Sequence, residues 1–290
     1  MKTFQKALRE SDLVVTAEMP LFPSTRADGV RRHLDTLAPA VDAVQVAEDR
    51  MAEGRIAGLA VAALSLERGV DPVMHLSCRD RNRIGLQSEI LGAATLGVTT
   101  LVIDRGDKIP PHLKGKVRGV FDTSGIQLIG MTRRLAEHLD VEAAPEFMVG
   151  TIVAVIRPKP DWEPAKITQK LDAGARFLQT LPCFNVKLLK QYLARVIERK
   201  ITHRAPIIVT VPLITSVDSV ESVRERYKGA ALPRPKLKRI AEADDPRATG
   251  IRLCAAAIRD IRSMPGVSGV NILYDADPES VVEALAASAD

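Results

Sequence analysis

The sequence predicts an α/β protein built as a closed (β/α)8 TIM barrel, with residues 1–290 forming one domain. Three observations lead there. Short β-branched apolar runs alternate with amphipathic helical stretches, an alternation that argues for a parallel sheet. Eight such units in 290 residues match a closed barrel. The competing doubly wound open sheet would carry Gly-x-Gly-x-x-Gly after its first strand, and that fingerprint is absent.

The first strand is expected at Leu13–Ala17, followed by a helix over Asp28–Leu37 with Val30, Leu34 and Leu37 on one face. Strand two is Ala43–Val46, with a helix over Arg55–Arg68. Strand three is Pro72–Leu76, and its helix Ile84–Leu96 stops at Gly97. Strand four is Thr100–Ile103. A long connection, Lys108–Ser124, leads to a helix over Gly125–Leu139. Strand five is Val149–Ile156, with a helix over Glu163–Ala173 ending at Gly174. Strand six is Arg176–Leu181, followed by the helix Val186–Lys200. After strand seven, Pro206–Val211, a second long connection precedes the helix Arg247–Met264. Strand eight, Val270–Leu273, and a helix over Pro278–Ala287 close the series.

Composition narrows the function. Ten aromatic residues in 290 argue against a stacking platform for single-stranded nucleic acid. The net charge of +5 is small, and its densest cluster is Arg224–Arg239. That cluster reads either as a solvated basic connection or as a surface for phosphate or a glutamate tail. No apolar run reaches the ~20 residues a membrane helix needs. Cys78, Cys183 and Cys254 are too widely spaced for a disulfide framework or a zinc pattern. With no signal-peptide core after the N-terminal residues, a cytoplasmic protein is expected.

Barrel chemistry sits at the C-terminal ends of strands. Those positions carry Glu18, Glu48-Asp49, His75 to Asp80, Asp104-Arg105-Gly106-Asp107, Gln179-Thr180 and Tyr274-Asp275. Asp49 and Asp80 read equally well as helix caps. His75 is either a satisfied core histidine or a ligand contact. Glu18 ends an apolar strand just before Met19-Pro20, which aims a partly desolvated carboxyl into the mouth. Gly106 lets the backbone approach a ligand closely beside Asp107.

The stretch His75-Leu-Ser-Cys-Arg-Asp-Arg-Asn-Arg-Ile-Gly-Leu-Gln-Ser88, running on to Asp104-Arg105-Gly106-Asp107, resembles the methylenetetrahydrofolate reductase family. Glu18, Lys170-Leu-Asp-Ala-Gly174 and Gln179 extend the resemblance along most of the chain. It implies a barrel that binds FAD and passes hydride from NADH or NADPH to the flavin. The flavin then reduces the methylene group of 5,10-methylenetetrahydrofolate to give 5-methyltetrahydrofolate. It also implies roles. Glu18 is the general acid, and Asp107 meets both flavin and pterin. His75, Arg105, Gly106 and Lys170 are flavin contacts, and Gln179 contacts folate and nicotinamide. Tyr274, on the strand-eight segment, is the remaining candidate for substrate binding.

The chain departs from that family after strand five. It reads Ile156-Arg157-Pro158-Lys159-Pro160 where some members carry Tyr and His that support the cofactor. Two other readings remain open: a pterin-binding barrel that transfers a methyl group, and a reductase-like partner subunit of a one-carbon complex. A homo-oligomer is compatible with any of these.

Overall fold

The computed structural model describes residues 3–138, 147–275 and 277–289. Eight parallel strands close into a barrel in chain order. They are β1 (Val14–Glu18), β2 (Ala43–Val46), β3 (Pro72–Ser77), β4 (Thr100–Asp104), β5 (Met148–Val153), β6 (Phe177–Thr180), β7 (Ile207–Pro212) and β8 (Val267–Leu273). Closure runs through β1 and β8, with Val14 opposite Gly269 and Glu18 opposite Leu273. The predicted (β/α)8 architecture is therefore the observed one.

The outer layer follows the predicted helices: α2 (Ala27–Leu37), α3 (Gly58–Glu67), α4 (Arg83–Leu96), α5 (Gly125–His138), α6 (Ala165–Ala173), α7 (Val186–Glu198), α10 (Pro246–Arg262) and α11 (Pro278–Ala289). Leu139, the expected end of α5, lies outside the described residues. Three helices were not anticipated: α1 (Phe4–Glu10), α8 (Val217–Arg226) and α9 (Arg234–Ala241). The last two fold the long basic connection. Each buries a narrow apolar stripe, Val220 and Val223 in α8 and Leu237 and Ile240 in α9, beneath a charged exterior that hides the helical period. β5 stops at Val153, because Ala154 already faces solvent and the Pro-rich segment beyond it cannot continue a ladder. No helix among the described residues is long and apolar enough to cross a membrane.

Strand alternation sends every second side chain inward. The lower inward positions form an apolar cluster with Val14, Ala43, Val73, Val102, Phe177 and Ile208, while Ile152, level with Gln179, reaches the mouth. α1 plugs this end. Phe4 is fully buried and packs 4.9 Å from the Phe177 ring. The Phe4 amide donates to the Asp71 carboxylate at 2.7 Å. Gly150 makes room for the plug, since a Cβ there would sit 2.2 Å from the Phe177 ring. The next layer up is polar, and it forms the floor of the site.

Candidate active site

The floor is an amide belt. Gln45 and Gln179 face each other across the barrel and exchange two hydrogen bonds, 2.8 and 2.7 Å. The Gln45 amide also donates to Thr16 at 3.0 Å, and His75 Nε2 donates to Gln45 Oε1 at 2.8 Å. Thr16 donates to Asn271 Oδ1 at 3.0 Å. Each of these belt groups thus finds a partner, as burial requires. Burial lowers the His75 pKa to about 4, with Glu18 opposing the shift. The ring is therefore neutral near pH 7, and the structure makes it a satisfied floor residue that also borders the cavity.

Above the belt, the barrel mouth opens into a cleft bordered by Glu18, His75, Asp104, Asp107, Gln179 and Tyr227. Glu18, at the end of β1, is 4% exposed. Its Oε1 accepts the Tyr227 hydroxyl at 2.5 Å, and its Oε2 lies 3.5 Å from the Asn271 amide nitrogen. Tyr227 follows α8 and is itself buried. Burial, then the nearby Glu18 carboxylate, push its pKa above the ordinary phenol value, so it keeps its proton. The Arg50 guanidinium stacks over the Tyr227 ring at 4.8 Å and pairs with Asp107 at 2.7 Å and Asp104 at 3.7 Å. Burial works against its charge, but the surrounding Tyr227, Asp104, Asp107 and Glu18 hold its pKa above the ordinary value.

The lip of the mouth is built by the motif after β3. Arg79 is 2% exposed and donates to the backbone carbonyls of Asp49 and Arg50, while pairing with Asp80 at 2.6 Å. This fixes the loop that presents Arg50. Asp80 is thus an ion-pair partner and Asn82 caps α4 through the Gly85 amide. Asp49 caps no helix either. It accepts the amides of Met51 and Gly54 within its own loop. Gly106 has φ +84°, and a Cβ there would lie 2.9 Å from Arg79 Cβ, so what the glycine accommodates is the chain's own Arg79 and Ser77.

The structure brings together Glu18, His75, Gly106, Asp107 and Gln179 around one cavity. It does not bring Arg105, Lys170 or Tyr274 there. Arg105 follows inward-facing Asp104, so alternation turns it out, over the Phe121 ring at 4.8 Å. Lys170 donates to the Ile152 carbonyl at 2.8 Å and ties α6 to β5, and burial lowers its pKa. Tyr274 follows Leu273 on the helix side of β8. Its ring stacks with His33 of α2, and its hydroxyl lies 3.0 Å from His33 Nδ1. Sequence reasoning missed Gln45, Asn271, Arg50 and Tyr227. Gln45 and Asn271 left a signal, as single amides inside apolar strands. Arg50 and Tyr227 sit in connections and left none.

The donor set can be tested against a flavin dinucleotide. Five carboxylates border the cavity, Glu18, Glu48, Asp49, Asp104 and Asp107, against two guanidinium groups, Arg50 and Arg79. Both guanidiniums are paired with carboxylates. Lys170 and Arg105 are engaged elsewhere. Carboxylates thus outnumber cations in the immediate lining, while Arg55 and Arg226 line the adjoining cleft and Arg226 Nη1 is buried without a partner, so cations that could meet a dinucleotide diphosphate lie beside the mouth. A pterin presents a donor edge, its ring N–H and exocyclic amino group, and carboxylates and amide oxygens match that edge. Cys78 and Cys183 are buried thiols whose pKa values burial lifts to about 11, which leaves them protonated and unreactive.

Comparison with known proteins follows the same line. A solved structure from Clostridium thermocellum, described as binding two copies of 5-methyl-5,6,7,8-tetrahydrofolic acid, superposes with a TM-score of 0.71 at 14% identity, covering 98% of this chain and 96% of that one. A 2,3-dimethylmalate lyase superposes at 0.50 and 10% identity, covering 92% and 78%. Tryptophan synthase from Mycobacterium tuberculosis does so at 0.50 and 14%, covering 97% and 91%. At these identities the likeness concerns the barrel fold. No curated protein sequence matches. The family profile of methylenetetrahydrofolate reductase matches residues 5–279, and the chain belongs to that family.

Proposed function

We propose that the barrel mouth binds a reduced folate and converts its 5,10-methylene bridge into a 5-methyl group, with hydride originating on NADH or NADPH and a proton from Glu18. The single observation that carries this reading is the placement of Glu18: a buried carboxyl at the end of β1, aimed into an acidic, amide-floored cavity. Opening the methylene bridge breaks one carbon–nitrogen bond, and its electron pair goes to the leaving nitrogen. Protonation by Glu18 satisfies that nitrogen and leaves an iminium on the other. Hydride then adds to the iminium carbon and gives the methyl group. Tyr227 and Asn271 stand ready to hold the carboxylate that remains. Asp107 and Gln179 offer acceptors to the pterin edge, and Gln45 keeps the Gln179 amide oriented.

No step is routed through FAD here: FAD and the nicotinamide dinucleotides carry the same diphosphate, so the charge of the mouth does not choose between them. A second reading, a pterin-binding barrel that transfers the methyl group, draws support from the neighbour described as binding 5-methyltetrahydrofolate. One experiment separates them. The visible spectrum of the purified protein is recorded, and nicotinamide oxidation is followed with 5,10-methylenetetrahydrofolate, with and without added FAD. Folate-dependent oxidation is expected, and its response to added FAD shows whether the hydride passes through a flavin. No oxidation under either condition would overturn the reductase reading and favour methyl transfer.

A further inference from the structure

Tyr227 lies in the stretch whose sequence reads as a solvated basic connection. In the fold it is the C-terminal cap of α8, and its ring reaches the barrel mouth. The chain has three tyrosines. Tyr192 packs against Trp162 and Tyr274 against His33, so each of those is held outside the mouth. Tyr227 alone among them borders the cavity.

We propose that Tyr227 is the positioning residue of the acid: its hydroxyl holds Glu18 Oε1 toward the cavity, and Arg50, stacked on the same ring, ties that pair to Asp107 across the mouth. This rests on the reading of Glu18 as the proton donor. Three observations carry it. The Tyr227–Glu18 hydrogen bond is 2.5 Å, whereas the other side-chain partner, the Asn271 amide, is 3.5 Å away. Without the phenol, Glu18 keeps only the weaker contact. The ring is itself fixed, with Arg50 at 4.8 Å and Arg226 at 5.6 Å from its centroid. Arg50 reaches on to Asp107 at 2.7 Å. The two carboxylates assigned to proton delivery and pterin recognition therefore share one mechanical link through an aromatic ring and a planar cation. A planar pterin entering the mouth meets both ends of that link at once.

The test uses Tyr227→Phe, which keeps the ring beneath Arg50 and removes only the hydroxyl. Its first arm needs no folate. Infrared spectra of protein labelled with 13C-carboxyl glutamate are compared, and the Glu18 band is assigned by its loss in Glu18→Gln. A shift of that band in Tyr227→Phe is expected, and an unmoved band overturns the pairing. The second arm is kinetic. The Phe variant is expected to lose about 10- to 100-fold in kcat, with KM for the folate held within about twofold. In the Glu18→Gln background the same change is expected to cost less than about twofold, because the group it positions is gone. Equal losses in both backgrounds, or a rise in KM without a fall in kcat, overturn the positioning role. If the parent protein shows no folate turnover, the proposed function falls, and the infrared arm still decides the pairing.

Discussion

At the N-terminal end of the barrel, the inward-facing cluster is largely apolar, and the fully buried Phe4 of α1 closes it off. At the C-terminal end the same alternation delivers Glu18, Gln45, His75, Gln179 and Asn271 into a connected polar network. The strands are continuous between the two ends, so secondary structure does not distinguish them. The difference lies in what each inward position must satisfy. The lower end answers to packing, where a methylene is felt. The upper end answers to hydrogen-bond accounting, where each buried amide needs a partner and any group left partly free faces the cavity. The mouth can carry chemistry because the plug beneath it supplies stability.

The largest expected effect breaks that division of labour from below. Phe4→Ala empties the plug and is expected to cost about 3–5 kcal/mol of stability. Below the variant's melting temperature, kcat should stay near the parent value. Chemical denaturation and steady-state kinetics check this together, and a proportionate loss of kcat would show that the ends are not independent.

A smaller effect is expected at the lip. Gly106→Ala places a methyl group 2.9 Å from Arg79 Cβ at a φ of +84°. It should cost about 1–3 kcal/mol and displace Asp107, seen as a raised KM for the folate. A rise in kcat with unchanged KM would contradict that placement.

The smallest effects are in pH dependence, and the two ends have opposite signs. Burial lifts the Asp71 carboxyl, which holds the Phe4 amide, to about 6. Its contribution is present at low pH and is lost as pH rises through about 6, since the folded state binds the proton more tightly. Burial lowers His75 to about 4. Its contribution is present above the ordinary histidine pKa and is lost as pH falls toward 4. Both changes fall between about pH 4 and 7. Denaturation curves of Asp71→Asn and His75→Gln over that range should separate them. Asp71→Asn should lose the decline toward pH 6, and His75→Gln should lose the decline toward pH 4.

The same contrast explains how much was legible from sequence. The eight strands were readable because both of their faces are buried, which leaves β-branched runs that few other structures produce. α1 was not, since a seven-residue helix held by Phe4 and Ala7 leaves no period to detect. At the site, Glu18, Asp107, Gln179 and His75 were readable from their places on strands. Alternation then decides what strand-end position alone cannot. It turns Arg105 and Tyr274 outward while Asp104 and Gly106 face the cavity. Tyr227 was not readable, because its contact with Glu18 spans 209 positions and no local pattern records it.

The most direct measurement is product formation by the parent and by Glu18→Gln from 5,10-methylenetetrahydrofolate with NADH or NADPH, followed by mass spectrometry. The account predicts 5-methyltetrahydrofolate from the parent and about 100- to 10,000-fold slower formation from the variant, with folate binding retained. Equal rates from the two proteins would contradict it.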